Sequence, residues 1–100
     1  MSIVVAGSFR LPQDQIEALR PHMLALIAAC RGEAGCLAYA YSEDFNEPGL
    51  FRVFERWTDR AALDVHFTQP HMAAWKEARE AHGFHDRQIT VYEVAAERPV

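Results

Sequence analysis

Cysteine, basic side chains and glycine are all scarce in this chain, and each scarcity removes a class of protein. Cys30 and Cys36 are the only two cysteines among 100 residues. They stand six positions apart, at an expected helix end and strand start, which suits a structural bridge poorly. Two buried free thiols in a reducing cytosol are expected instead. Ten Lys and Arg against fourteen Asp and Glu give a formal net charge of −4. There is no basic stripe to meet a phosphate backbone, so nucleic acid is not an expected partner. No apolar run approaches the roughly 20 residues of a membrane-spanning helix. The opening Met1-Ser2-Ile3-Val4-Val5-Ala6 lacks the basic region of a secretory signal. A cytoplasmic protein without a membrane partner is the expectation. The five glycines form no phosphate loop, and no nucleophile elbow or cysteine–histidine arrangement occurs.

What the chain does have is apolar surface. Half of its residues are hydrophobic, near the upper edge of ordinary globular usage. A length of 100 residues suits one domain, here with a core over about 2–93 and a frayed tail at 96–100. A monomer this small cannot cover so much apolar surface, so a homodimer is expected.

The patterning gives the element order. Residues 2–10 carry the β-branched run Ile3-Val4-Val5 and end before Pro12, which reads as a strand buried on both faces. A helix is expected over about 13–31, with Ile16, Leu19, Met23, Leu26, Ile27 and Cys30 on one stripe. Pro21 lies almost opposite that stripe, so it kinks the helix toward water rather than breaking it. Gly32 or Gly35 supplies a left-handed cap. Residues 36–43 alternate as a strand with Tyr39 and Tyr41 on one face. The turn Asn46-Glu47-Pro48-Gly49 leads into the return strand 50–57 of a hairpin. There Phe51, Val53, Glu55 and Trp57 face one way and Arg52, Phe54 and Arg56 the other. A short helix capped by Thr58 or Asp59 follows, with Ala62, Leu63, His66 and Phe67 inward. Thr68 caps a further helix, 69–81, and Gly83 ends it. A last strand covers about 86–95. The order is β-α-β-β-α-β with a broken second helix: an α+β, ferredoxin-like split plan, one antiparallel sheet with helices on one face. The opposite, bare sheet face would pack on a second copy.

The stretch Glu55–Met72 gathers a carboxylate, Trp57, His66 and His71 at one strand-to-helix corner. Glu55 on an apolar face is a conflict between pattern and burial, of the kind found at functional sites and in paired structural glutamates alike. His66 and His71 stand five apart across Pro70, which is not the i, i+4 spacing of a helical zinc site, and no cysteine is expected nearby. No metal is expected.

Glu33-Ala34-Gly35-Cys36-Leu37-Ala38-Tyr39, then Glu55-Arg56-Trp57-Thr58, then Leu63-Asp64-Val65-His66-Phe67-Thr68-Gln69-Pro70-His71 resemble the antibiotic biosynthesis monooxygenase family. The likeness runs over about 2–93 and looks closest to bacterial quinol monooxygenases through Gln69-Pro70-His71-Met72. It implies a dimeric α+β barrel. For some members it implies oxygenation of quinols or polyketide phenols without flavin, haem or metal. Haem-degrading relatives differ: they carry an asparagine where this chain has Gly7-Ser8, a tryptophan near His66 and a histidine near Lys76. Of the asparagine, tryptophan and arginine of the polyketide oxygenases, Trp57 and Arg52 are matched here by type.

Dioxygen does not react directly with closed-shell molecules because of its spin, but an electron-rich phenolate can pass it one electron. A protein for this task must take a proton, hold a flat ring and stabilise an anion. The candidate catalytic residues are His66, as the base, and His71, as donor or orienter. Trp57, Phe67 and Trp75 are candidate walls for a small aromatic substrate, with Glu55, Tyr39 and Arg52 as further substrate-binding candidates. Tyr39 and Arg52 would hold the anion. Arg52 faces away from Trp57, so both reach one pocket only if a partner subunit contributes one of them. No cofactor is expected; the partners are the aromatic substrate, O2 and a second subunit. Each residue also has a plain structural reading, as a hydrogen-bonded core histidine, a helix N-terminal residue or core packing. Two other functions remain open: a non-catalytic dimeric α+β barrel that binds a small apolar ligand, of stress-response type, and an isomerase using the same pocket.

Overall fold

A computed structural model describes residues 1–100. The chain runs β1 (Ser2–Arg10), a 3-10 turn (Gln13–Gln15), α1 (Ile16–Arg31), β2 (Cys36–Glu43), β3 (Leu50–Trp57), α2 (Arg60–Phe67), α3 (Pro70–Ala81) and β4 (His85–Val94). The four strands form one sheet in the order β2-β3-β1-β4, antiparallel throughout. This is the α+β, ferredoxin-like plan that the element order implied. No helix is long and apolar enough to cross a membrane.

The register shows how the two faces divide. Ile3 pairs with Trp57, Val5 with Glu55 and Phe9 with Phe51, and all six side chains are buried. They meet Leu19, Met23, Leu26 and Cys30 from α1, Leu63 from α2 and Trp75 from α3 in one core. Because helices cover only this face, β1 is not buried on both sides as its unbroken apolar run suggested. Val4 and Ala6 are only half-buried on the uncovered face, which also carries Phe54 and Tyr92 at 44% and 52% exposure. β4, at the sheet edge, has no fully buried residue.

Several local expectations shift by a residue or a rotation. The first helix opens with a 3-10 turn and keeps exposed Pro21 inside α1. Gly32 ends it with right-handed backbone (φ −85°), and the left-handed glycine is Gly35 (φ 83°). Asp59 caps α2, its Oδ1 accepting from the Ala62 N–H at 2.8 Å. Thr68 ends α2 rather than starting α3, whose N-cap is Gln69 with Pro70 in the first turn. Cys30 is buried as expected, but Cys36 is only half-buried at the sheet edge. Residues 96–100 form no regular structure, although Glu97 pairs with Arg56 at 3.0 Å.

Candidate functional site

The corner begins where β3 ends. Trp57 is fully buried, and its indole Nε1 donates to Glu55 Oε1 at 3.0 Å, so the conflict between Glu55 and its apolar face is met by a neighbour on that same face. Burial pushes the Glu55 carboxyl up to about 7, partly opposed by the indole hydrogen bond and by the Arg87 charge.

After the corner, α2 places His66 in its last turn, and Pro70 restarts the chain so that His71 falls in the first turn of α3. Proline cannot continue the α2 hydrogen-bond ladder, and the residue before it is driven to extended backbone. Gln69 has that conformation (φ −72°, ψ 142°). The break leaves the two imidazoles with ring centroids 6.5 Å apart.

A third residue joins them. Glu33 lies in the turn after α1, and that turn is clamped to the end of β3 by the Thr58 N–H donating to the Gly35 carbonyl at 2.9 Å. Gly35 is required there: a Cβ would stand 2.6 Å from Ala62 Cβ and 2.7 Å from Thr58 Oγ1. With the turn held so close to α2, Glu33 Oε2 accepts from His66 Nδ1 at 2.8 Å and from His71 Nε2 at 2.8 Å. Burial raises the Glu33 pKa, but the hydrogen bonds and charges of the two imidazoles outweigh it and hold the carboxyl below its usual value. An ionised carboxylate only accepts, so both ring nitrogens must carry hydrogen. Glu33 Oε1 is buried without a hydrogen-bond partner. Cys30 Sγ lies 4.0 Å from His66 Nδ1, so a cysteine is near the histidines after all, because the ends of α1 and α2 meet over the same core.

The histidines differ in access. The His66 side chain is 1% exposed and the His71 side chain 24%. His66 is enclosed by Trp57, Tyr39 and Phe67, with ring centroids at 4.6, 5.7 and 5.6 Å. His66, Trp57 and Trp75 are each buried. His71 and Trp75 line a cleft of about 110 Å³ between α1 and α3. A larger cavity of about 420 Å³ has Glu33, Gly35, Thr58, Asp59, Val65 and Gln69 among its walls. Another, of about 360 Å³, has Phe67, Gln69, Pro70, Met72 and Arg79 among its walls.

The remaining sequence-predicted residues separate by face. Tyr39 is buried with its hydroxyl 3.2 Å from that of Tyr41, and burial raises both phenols. Phe67, expected on the inward stripe, is 51% exposed because α2 ends there and its side chain borders the 360 Å³ cavity. Arg52 lies exposed on the opposite sheet face, paired with Asp44 at 3.2 Å, as strand alternation required. Reading by residue type gave no role to Glu33 or to Arg79, whose guanidinium sits 4.4 Å over the Phe84 ring with Nε buried and unpartnered. Glu33 did stand in one of the motif stretches, which was the available signal.

The family model for antibiotic biosynthesis monooxygenase matches residues 2–78. An uncharacterized Synechocystis sp. protein is 34% identical over 93 residues, 93% of this chain, which spans 63% of that protein's length. A Mycobacterium tuberculosis protein, Rv0793, provisionally named a monooxygenase, is 36% identical over 69 residues, covering 69% of this chain and 67% of its own. Its solved structure superposes with a TM-score of 0.86 at 28% identity, over 99% of this chain and 100% of that one. A Deinococcus radiodurans structure, provisionally named an antibiotic biosynthesis monooxygenase, superposes with a TM-score of 0.90 at 28% identity, over 100% of this chain and 98% of its own. The chain belongs to the antibiotic biosynthesis monooxygenase family.

Proposed function

We propose that the protein is a cofactor-independent monooxygenase that oxidises a quinol or polyphenol with O2. The observation that carries this reading is the shared Glu33 carboxylate, which holds His66 and His71 at 2.8 Å each. A carboxylate on one ring nitrogen fixes the tautomer and leaves the other nitrogen basic. His71, the more exposed imidazole, is the member a substrate reaches, through the cleft it lines with Trp75. His66 then serves as a positioning residue, holding Glu33 from the buried side.

In this reading His71 Nδ1 takes the proton of a substrate hydroxyl. The phenolate passes one electron to dioxygen, and the radical pair joins as a ring peroxide. Cleavage of the O–O bond leaves one oxygen on the ring as a quinone carbonyl. The other departs as water, carrying the proton returned by His71 and one from the ring. Trp75 supplies an apolar wall for the flat ring, while Trp57 and Tyr39 pack against His66 and Glu55 holds the Trp57 indole. Phe67 borders a separate cavity, with Gln69 and Met72, and takes no part in the His71–Trp75 cleft. Arg52 joins a pocket only through a second subunit, and the uncovered face with Phe54 and Tyr92 supports such a homodimer.

Oxygen uptake with a panel of quinols and polyphenols, in buffer free of flavin, haem and added metal, tests this. Uptake above the spontaneous rate is expected, with one ¹⁸O atom from labelled dioxygen in the product. His71→Ala should lower the turnover rate by about 100-fold or more, as for loss of a general base. Spontaneous rates across the panel, or an unchanged His71→Ala enzyme, would overturn the proposal.

A further inference from the structure

The same corner holds an arrangement that proton transfer does not use in full. Cys30 Sγ, a Glu33 carboxylate oxygen and one nitrogen each from His66 and His71 all lie within 4.8 Å of one another. They come from three separate places in the chain: the end of α1 with its following turn, the end of α2 and the start of α3. We propose that these four side chains form a binding site for a borderline-soft divalent cation of the zinc class. With an ion on His71 Nε2 the ring hydrogen sits on Nδ1, so the ion-bound form would not take a substrate proton there; cation binding is measured without substrate, so this inference is tested apart from the oxygenase reading.

The donor chemistry selects the ion. One thiolate, one carboxylate and two imidazoles make a mixed S, O, N, N set, which suits four-coordinate zinc or cobalt rather than magnesium or calcium, ions that prefer oxygen ligands. The charges match, since a thiolate and a carboxylate with two neutral imidazoles neutralise a divalent ion. Zinc bond lengths of about 2.0–2.3 Å in a tetrahedron place nitrogen and oxygen ligands about 3.3 Å apart, and sulfur and nitrogen about 3.6 Å apart. The present separations are 2.8 Å for both imidazole–carboxylate pairs and 4.0 Å for the sulfur–nitrogen pair. Each of these must change by about half an ångström, and no remaining pair, all within 4.8 Å, must close by more than about 1.5 Å, a rearrangement that side-chain rotations supply.

A second, independent observation points the same way. The Glu33 side chain is only 9% exposed, yet its Oε1 has no hydrogen-bond partner. Buried polar atoms are rarely left so, because the desolvation cost is not returned. A carboxylate with spare acceptor capacity among three other ligand atoms is what an ion site needs. Entry is open on two sides, at Glu33 through the 420 Å³ cavity and at His71 through the α1–α3 cleft. The 66–71 spacing alone hid the site, because Cys30 and Glu33 complete it from elsewhere in the chain.

Chelator-stripped protein titrated with zinc by calorimetry and with cobalt by absorption tests the assignment. One equivalent of zinc should bind. Cobalt should give the intense visible bands of tetrahedral coordination and a near-ultraviolet thiolate charge-transfer band. Cys30→Ser should abolish the charge-transfer band. Glu33→Gln and His71→Ala should each weaken zinc binding by at least about 10–100-fold, the loss expected even for groups that only support a ligand. His85→Ala, on an exposed histidine outside the cluster, should leave the affinity unchanged. Circular dichroism of each variant separates lost binding from lost fold. Absence of stoichiometric binding by the folded wild-type protein would overturn the site. So would a cobalt spectrum unaltered in folded Cys30→Ser, or an affinity that falls only in His85→Ala.

Discussion

Trp57 donates its indole N–H to Glu55 Oε1 at 3.0 Å, two residues apart on the inward face of β3, with both side chains buried. This neutral donor satisfies one carboxyl oxygen but supplies no countercharge, so burial still favours the protonated acid, and the carboxyl is pushed up to about 7.

Stability should therefore fall as pH rises through that range. Below the ordinary glutamate value of about 4.3 both the folded and unfolded chains hold the proton, and nothing is lost. Between that value and about 7 only the folded state holds it, so the unfolded state binds fewer protons and ΔG of unfolding declines with pH. Above about 7 the loss has levelled off, at an order of 3 kcal/mol before relaxation and water entry reduce it. Glu55→Gln removes the titrating group and keeps an acceptor for the indole. Urea unfolding across pH 4.5–8 should be flatter for Glu55→Gln than for the wild type, with the variant more stable at pH 8.

A second prediction concerns backbone approach in the sheet. Gly7 sits in β1 opposite Ile89 of β4, and a Cβ there would stand 2.0 Å from the Gln88 carbonyl oxygen and 2.6 Å from Ile89 Cα. Both are backbone atoms and cannot turn aside as a side chain could. Gly7→Ala should lower stability by about 2 kcal/mol or more, as overpacking does. Gly32→Ala meets the Ala29 and Ala28 carbonyl oxygens at 3.5 and 3.9 Å, ordinary contacts, and has ordinary φ, so it should change stability by less than about 0.5 kcal/mol. Thermal melts of the two variants check the contrast.

Periodicity carries information over a few residues, and the parts of the molecule read from sequence are those fixed at that range. Alternation put Tyr39 and Tyr41 on one face, and their hydroxyls lie 3.2 Å apart. The same alternation sent Arg52 to the face opposite Trp57. Phe67 failed because a helical stripe assumes that the helix continues under cover, whereas α2 stops at that residue. The motif stretch Glu33–Tyr39 singled out Glu33, but its contacts were unreadable for a different reason: its partners are 33 and 38 residues away, and no local pattern encodes a contact across that span. The antiparallel hairpin β2–β3 and the clamp at Gly35 create the pairing, and both are products of the whole fold.

The Glu33 bridge makes a third prediction. Glu33→Ala would strand the His66 Nδ1–H inside the core, where an unmet buried donor costs about 1–3 kcal/mol. The His71 donor can turn to water, because its side chain is 24% exposed. His66→Ala adds a cavity beside Trp57 and should destabilise more than His71→Ala, which should cost about 1 kcal/mol or less. Equal losses in the two histidine variants, by chemical denaturation at neutral pH, would mean that the access difference between them has no energetic weight.

The uncovered sheet face gives the last prediction. Phe54 projects from the centre of the sheet on the side without helices, at 44% exposure, with half-buried Val4 and Ala6 on the neighbouring strand and Tyr92 beyond them. An aromatic residue with apolar neighbours is the type of contact that anchors a protein interface, since burying it removes a large apolar area from water. Arg52 and Arg56 flank it on the same strand and are already partnered within the chain, to Asp44 and Glu97. They therefore need not be stripped of their counterions when a second copy docks. Sedimentation at micromolar concentration should give a dimer. Phe54→Glu places a like charge on each side of a two-fold contact and should shift the protein to a monomer with an unchanged far-ultraviolet spectrum, because the side chain contributes nothing to the buried core. A monomeric wild-type protein would instead mean that Phe54 and Tyr92 remain in water, and Arg52 would then have no route into any pocket on the helical side.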